Sequence, residues 1–340
     1  MAVTIKEVAA LAGVSPSTVS RTCNNSPLIS KKTQERVRKA MEELGYEPVG
    51  GENPAESGKS LGAIGIVLPS YQQENFENPF YLDVIRGISK TCNHLQYATC
   101  VLSGKNESEL LESIDLLRKS SSKITFILLY SQENDPIAEY LYDEGLRYVM
   151  IGAPLQHDTE TISVDNDNFS AAYDACKYVS EHGHKQIGYI GLDSSLAFSA
   201  RRKQGYQMAL LEHDLALTAG HCMEFDPTDE QKVQALQDML TQKNRPTALL
   251  VVDDLLALAI NQLCRQFGLH VPEDISIVSF NNSVFAKLSI PSLTSVDIHA
   301  RQLGIEAALQ AINHLETPDL TPSKVIVPYS LVERDSVKTL

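Results

Sequence analysis

Side chains that can bind hydroxyl groups follow several apolar runs in the larger, C-terminal part of the chain, and two arginines open a helical stretch there. They are carboxylates, amides, guanidinium groups and aromatic rings, at Tyr71, Asn78, Phe80, Asp165, Asp167, Asp193, Arg201, Arg202, Asp253, Asp254, Asn281 and Asn282. Planar carboxylate, amide and guanidinium groups pair with neighbouring hydroxyls, and an aromatic ring covers the apolar face of a sugar. The set therefore predicts a carbohydrate site. The alternative for any single Asp or Asn is a turn residue or a helix cap.

A second set of polar residues lies near the N-terminus, in the stretch VSPSTVSRTC. Val19 and Cys23 are four residues apart and predict the inner face of a short helix. Ser17, Ser20 and Arg21 then face outward. A helix that enters a major groove needs small side chains for close approach and donors for phosphates and base edges. The stretch therefore predicts a DNA-reading helix, and the alternative is a helix of a small structural bundle.

Three helices are predicted to position that stretch. The first begins with a capping box at residues 4–7, spelled Thr-x-x-Glu, and ends at Gly13. The second has Ser15 as its N-cap and runs over residues 16–23, with proline in its first position. The third runs over residues 30–44. The first two helices with their short turn predict a helix-turn-helix.

The net charge is unevenly distributed along the chain. Residues 1–46 hold seven basic and four acidic side chains, a net charge of +3, whereas the 340 residues together carry −14. The remaining residues therefore carry −17. An acidic body with a basic head confines contact with a polyanion to the head.

The rest of the chain alternates between apolar runs and helical patterns. The runs LGAIGIVLP, ATCVLSG, ITFILLY, YVMIGAP and TISVD come first, and QIGYIGL, ALLVVDD and ISIVSFNN follow after a restart. Such alternation is typical of parallel sheets that are covered by helices on both faces. The predicted fold is α/β: an all-α helix-turn-helix head and two doubly wound parallel-sheet subdomains, as in periplasmic binding proteins. Ligands bind beyond the carboxyl ends of such strands, here in the cleft between the subdomains.

The composition shifts predict three segments. Residues 1–48 form the head, residues 49–60 a linker rich in Gly, Pro and polar residues, and residues 61–340 the body. We assign about 61–161 and 294–320 to the N-subdomain, and about 162–293 and 321–340 to the C-subdomain.

No pattern in the chain predicts a metal, a cofactor or a membrane segment. The six cysteines are scattered without metal-ligand spacing, so we expect neither zinc nor a structural disulfide. His182 and His184 fit a turn at a helix end better than a metal site. No apolar run approaches the roughly 18 residues that a membrane span needs, and the stretch MAVTIKEVAA lacks the apolar core of a signal peptide. We therefore expect a cytoplasmic protein.

The head resembles the DNA-binding domain of the lactose-repressor/galactose-repressor (LacI/GalR) family of bacterial transcription factors. The resemblance rests on VTIKEVAALAGVSPSTVSR and ISKKTQERVRKAMEELGYEP. It implies that Pro16, Ser17 and Arg21 read bases. It also implies further DNA-contacting residues at Thr4, Thr18, Ser20, Asn24 and Ser30.

The linker departs from the family pattern. In the family this segment folds on DNA into a hinge helix, and a leucine from each subunit wedges into the minor groove. This chain has Gly50, Gly51 and Pro54 there and no leucine between Val49 and Ser60. Glycine and proline disfavour a helix by roughly 1 and 3 kcal/mol per interior residue. We therefore do not expect the usual kink in the minor groove, and we expect either weaker binding to the operator or a linker that reads DNA differently.

The body resembles the same family through HGHKQIGYIG, RPTALLVVDDLLALAI and GLHVPEDISIVSFNN. ENPFYLDVIRGI and ISVDNDN are most similar to the maltose-operon repressors of Gram-positive bacteria. The resemblance implies maltose or a maltodextrin as effector, near-palindromic double-stranded operator DNA, a homodimer and no membrane partner. The implied effector-binding residues are Tyr71, Asn78, Phe80, Asp167 in preference to Asp165, Arg201 or Arg202, Asp253 and Asn281.

The predicted function is a transcriptional repressor of maltose and maltodextrin genes that a sugar releases from its operator. One alternative is a sugar-binding protein of the periplasmic type without a DNA output. Another is a glycosidase that uses Asp253 and Asp254, but adjacent residues at a strand end point in opposite directions. Glycosidase carboxylates must flank one bond at about 5–10 Å from each other. We therefore expect no catalytic residues.

Overall fold

The computed structural model describes residues 4–23, 29–44, 46, 62–69, 78–121 and 123–340. The chain divides into two compact units, Met1–Leu61 and Gly62–Leu340. The predicted linker at 49–60, Asn24 and Tyr71 lie outside the described residues, as do the side chains of Ser17, Ser20 and Cys23.

The first unit contains the three predicted helices. They are α1 (Ile5–Ala12), α2 (Pro16–Cys23) and α3 (Lys31–Leu44). The predicted capping box begins α1, since Thr4 N donates to Glu7 Oε2 at 2.7 Å. Gly13 ends α1 in the left-handed conformation at φ 61°, which glycine adopts without strain. Val8, Val19 and Val37 are fully buried between the helices.

The second unit follows the predicted alternation of strands and helices. Its strands are β1 (Ala63–Val67), β2 (Ala98–Leu102), β3 (Ile124–Leu128), β4 (Tyr148–Ile151), β5 (Ile162–Asp165), β6 (Ile187–Gly191), β7 (Cys222–Glu224), β8 (Ala248–Val251), β9 (Ser276–Phe280), β10 (Thr294–Asp297), β11 (Lys324–Ile326) and β12 (Ser330–Val332). Its helices are α4 (Pro79–His94), α5 (Glu107–Ser120), α6 (Pro136–Asp143), α7 (Asn168–Glu181), α8 (Ala197–Glu212), α9 (Glu230–Thr241), α10 (Asp254–Gln266), α11 (Val284–Leu288) and α12 (Ala300–Glu316).

The strands form two six-stranded sheets with the same winding. The first has the order β11-β5-β4-β3-β1-β2 and is parallel throughout. The second has the order β12-β10-β9-β8-β6-β7, and only its edge strand β12 runs antiparallel, against β10. The strand order reverses between β1 and β3 in the first sheet and between β6 and β8 in the second. Such switch points are where doubly wound sheets bind ligands. The prediction of parallel sheets is therefore right except at that edge.

Each sheet and its helices form one half of this unit, the first half around β1–β5 and β11 and the second around β6–β10 and β12. The chain passes between the two halves three times, at points that differ from the prediction. It crosses after β5, after β10 and between β11 and β12. Helix α7, which follows β5, already packs on α8 of the second half, and α12, which follows β10, packs on α4 of the first. The predicted crossings at 162, 294 and 321 place β5, β10 and β11 in the wrong sheets. An apolar run predicts a strand but does not say which sheet it joins, since that depends on the partners it pairs with.

Glycines allow the closest helix contacts in each half. A Cβ at Gly304 of α12 would overlap the carbonyl oxygen of Val84 in α4, and a Cβ at Gly205 of α8 would overlap that of Phe169 in α7. Both helix pairs therefore pack backbone against backbone. None of the helices within the described ranges combines the length and the apolar character that crossing a membrane requires.

Candidate functional site

Arg202 is a buried side chain of the second half, and Asp165 of the first half lies near enough to favour its charged form. Arg202 belongs to helix α8. Its Nε donates to Asn168 Oδ1 at 2.9 Å, and its Nη1 donates to Val252 O. The guanidinium also lies 4.4 Å from the centre of the Phe280 ring, which adds a cation–π contact. Burial lowers the pKa of Arg202 to about 10, so the group stays charged at neutral pH.

Asp253 and Asn78 meet across the cleft. Asp253 caps α10 by accepting from Leu256 N at 2.7 Å, and its other oxygen accepts from Asn78 Nδ2 at 3.1 Å. Asn78 in turn caps α4, with its Oδ1 accepting from Phe80 N at 3.1 Å. Burial raises the pKa of Asp253. These two predicted residues are therefore helix caps that also bond one half to the other.

Asp165, and not Asp167, belongs to the cluster around Arg202. Its Oδ1 accepts from Asn166 N at 2.8 Å and from Asn168 Nδ2 at 3.0 Å, and Asn168 binds Arg202. Burial raises the pKa of Asp165 to about 6. Asp167 is exposed and caps α7, accepting from Ser170 N at 2.9 Å. The preference for Asp167 is thus not supported by the structure, because the chain turns between the two residues.

Both carboxylate oxygens of Asp254 accept hydrogen bonds from within the protein. Its carboxylate accepts from the hydroxyls of Ser279 and Ser295 and from Ser283 N at 2.6 Å, and it is 1% exposed. It fixes β9 and β10 to the start of α10. Asp253 and Asp254 therefore bind different partners, and these two carboxylates do not form the pair that glycoside hydrolysis needs.

The remaining predicted cleft residues differ in position. Phe80 is half-buried, packs on the apolar core and meets the ring of Tyr81 edge-on at 5.4 Å. Asn281 directly follows β9 with φ 99°, and its backbone N–H donates to Val296 O at 2.8 Å. Asn168 and Phe280, the partners of Arg202, were not among the predicted effector-binding residues. The sequence does point to both places, since Asn168 follows the predicted Asp167 and Phe280 precedes the predicted Asn281.

Arg201 faces a different space from Arg202. It is exposed and lines a cavity of about 490 Å³ between the two halves. Polar side chains from both halves surround this outer cavity, among them Glu133, Asn134, Gln156, Ser194 and Gln204. Beside it the chain forms an antiparallel bridge from Gln132 to Leu196. The sequence left open which of the two arginines faces the cleft, and in the structure they face different spaces. Consecutive residues of a helix point about 100° apart, so Arg201 lines the outer cavity while Arg202 is buried.

The exposed side of α2 carries the predicted DNA-reading residues that the structure describes. Pro16 and Arg21 are exposed, and Thr22 is buried with its hydroxyl donating to Thr18 O at 2.8 Å. Ser15 caps the helix as predicted, accepting from Thr18 N at 3.2 Å. Ser30 caps α3 in the same way, accepting from Thr33 N at 3.3 Å. Of the predicted base-reading residues, Arg21 therefore offers an exposed guanidinium.

No metal-binding arrangement accompanies these residues. Within the described ranges, no three His, Cys, Asp or Glu side chains come together as metal ligands would. His184 is buried between Thr247 Oγ1 and Lys338 O, each 2.9 Å away, and so anchors the C-terminal segment. The five cysteines whose side chains are described are all free thiols.

Comparisons with known proteins match both units. Residues 4–49 match the family of bacterial regulatory proteins called the lacI family, and residues 176–337 match the periplasmic binding protein-like domain. The HTH-type transcriptional regulator MalR of Staphylococcus xylosus is 31% identical over 338 residues, 99% of this chain and 99% of that protein. MalR of Streptococcus pneumoniae is 33% identical over 338 residues, 98% of this chain and 100% of that protein. Among solved structures, a complex of the transcriptional regulator CelR with cellobiose has a TM-score of 0.75 and 27% identity, with coverage of 98% of this chain and 99% of that one.

Proposed function

Because this chain belongs to the lacI family of bacterial regulatory proteins, it is a DNA-binding transcriptional regulator and not an enzyme, and we propose that it represses genes for the use of maltose or maltodextrins. The near-complete alignment with two MalR regulators carries this proposal. The buried arginine and aspartate of the cleft support it, since they can bind sugar hydroxyls.

The sugar would bind where the two halves meet. Asn78 and Asp253 bond directly across the cleft, and Arg202 lies buried beside them. A sugar hydroxyl that bonds to both Asn78 and Asp253 replaces that direct bond and changes how the halves are held. The sugar acts as an inducer, so its binding lowers the affinity for the operator. A coupling of about 1–3 kcal/mol between two such sites is typical of allosteric proteins.

The repressor acts in the cytoplasm as a homodimer on a near-palindromic operator. Residues 1–48 bind DNA, residues 49–60 link them to the body, and residues 61–340 bind the sugar and dimerise. Pro16, Ser17 and Arg21 contact bases, and two heads read the two half-sites. The other DNA-contacting residues are Thr4, Thr18, Ser20, Asn24 and Ser30.

Fluorescence anisotropy with a palindromic operator fragment from a maltose operon tests this function. Binding is measured with and without maltose at one salt concentration, because phosphate contacts make the affinity depend on salt. We expect binding that exceeds that of a scrambled duplex and that maltose weakens about tenfold. A maltose-dependent rise in affinity contradicts the inducer role. Binding no better than to the scrambled duplex contradicts DNA recognition and leaves a sugar-binding protein without a DNA output.

A further inference from the structure

The outer cavity has the chemistry of a site for a neutral, hydroxyl-rich ligand. Among the described residues of the lining, Glu133 and Arg201 bring one charge of each sign, and these two charges balance. The amides of Asn134, Gln156 and Gln204 add donors and acceptors from both halves. Its volume of about 490 Å³ lies within the roughly 300–1,000 Å³ of small-molecule sites.

The cavity also offers apolar surface beside these polar groups. The first half of the protein contributes the exposed side chain of Leu155, and the second half contributes Ala197 and Ala200 of α8. A sugar ring presents C–H groups as well as hydroxyls, so it can use both kinds of surface. An anion or a purely apolar molecule would leave part of this lining without a partner.

The outer cavity and the inner cluster share helix α8. Arg201 lines the cavity while the next residue, Arg202, reaches the buried cluster with Asn168. Adjacent Cα atoms are about 3.8 Å apart, so the outer cavity lies close to the inner cluster along this helix. With the described residues Arg201 makes one long bond, 3.4 Å from its Nη1 to Gln204 Oε1, which a ligand can replace.

We propose that the outer cavity is a second sugar subsite, which holds the glucose units that a maltodextrin has beyond maltose, and that Arg201 sets the preference for chain length. The inference rests on the proposed function, because the inner cluster must hold the first sugar units. The effector that binds most tightly is then a linear oligosaccharide longer than a disaccharide.

Calorimetric titration of the full chain with maltose, maltotriose and maltotetraose tests this inference. We expect maltotriose to bind the wild type about tenfold more tightly than maltose. In Arg201→Ala that gain falls to about twofold or less, while the Kd for maltose stays within about twofold of the wild type. Gln156→Ala, on the opposite wall, should lose part of the same gain. Arg118→Ala is the matched control, because Arg118 is an exposed arginine that pairs with Glu144.

Each other result has a distinct meaning. Equal affinity of the wild type for the three sugars overturns the subsite and leaves the proposed function standing. A loss of maltose affinity in Arg201→Ala that matches the loss for maltotriose also overturns it, because Arg201 then belongs to the inner site. If none of the sugars binds the wild type, the proposed function is wrong and the inference fails with it.

Discussion

Arg202 shows how a single charged side chain is held in the interior. A buried guanidinium is costly unless its donors are satisfied, and here Asn168, Val252 O and the Phe280 ring surround it. Asp165, Asp253 and Asp254 favour its charged form. The same arrangement leaves a fixed cation beside the Asn78–Asp253 contact. We infer that Arg202 serves both the stability of the cleft and the binding of the sugar.

Replacing Arg202 by lysine tests that double role. Arg202→Lys keeps the charge but cannot reproduce the planar set of donors to Asn168 and Val252. We expect a free energy of unfolding lower by about 1–3 kcal/mol and maltose binding at least about tenfold weaker. Urea denaturation and calorimetric titration measure the two effects. Arg118→Lys is the control, and an unchanged maltose affinity in Arg202→Lys would exclude Arg202 from the sugar site.

Asp165 predicts a dependence of stability on pH. Burial raises its pKa from 3.8 to about 6, although Arg202 acts in the opposite direction. The folded protein therefore holds the proton more tightly than the unfolded chain, so the free energy of unfolding falls as pH rises through this range.

The variant Asp165→Asn isolates this contribution, because it removes the titrating group and leaves the other carboxylates in place. Relative to the variant, we expect the wild type to lose up to about 3 kcal/mol of stability between about pH 4 and pH 7. Urea denaturation at several pH values measures the difference. A difference that is constant across this range would show that Asp165 titrates normally.

At the scale of the elements, one buried amide connects the three crossings between the halves. Asn166 follows β5, and its Nδ2 donates to Ile298 O at 3.0 Å and to Val327 O at 2.8 Å. Ile298 follows β10 and Val327 follows β11, so each carbonyl lies on another crossing. Movement of the halves must bend these segments while they stay joined at this point.

Replacing Asn166 by leucine should weaken the unit as a whole. Asn166→Leu keeps a similar side-chain size but leaves two buried carbonyl groups without their donor. We expect a loss of about 2–4 kcal/mol in the free energy of unfolding, measured by urea denaturation. Asn313→Leu, at an exposed position of α12, should change it by less than about 0.5 kcal/mol. Equal stability of the two variants would mean that the crossings do not depend on this amide.

At the scale of the whole molecule, the uneven distribution of charge indicates that DNA binds the basic head and that the uncharged sugar binds the acidic body. The basic residues of the head can neutralise phosphates, whereas residues 47–340 carry −17. Maltose has no charge, so its binding releases no counterions. The two binding reactions should therefore respond differently to salt.

A salt titration of both reactions tests this separation. We expect the Kd for the operator to rise about tenfold or more between about 50 and about 200 mM KCl. The Kd for maltose should change less than about twofold over the same range, because no ion is displaced. Anisotropy and calorimetry on the same preparation measure the two constants. An operator Kd that is insensitive to salt would contradict phosphate contacts by the basic head.

The sequence by itself determined the features that depend on neighbouring residues. Ser15 and Gly13 mark helix ends through their own hydrogen bonds or backbone conformation, and the structure has both where they were predicted. The alternation of apolar runs with helical patterns determined the α/β class for the same reason. The family followed from stretches such as VSPSTVSR, in which type and spacing are both specific.

Only the tertiary structure decided which of two similar neighbours enters the cleft and which sheet a strand joins. Asp165 and Asp167 are two residues apart, yet one faces Asn168 and the other caps α7. Arg202 is buried while Arg201 lines the outer cavity. Strand β10 pairs with β9, although its sequence would fit either sheet. Each of these outcomes depends on contacts between residues far apart in the chain, and no local pattern encodes such contacts.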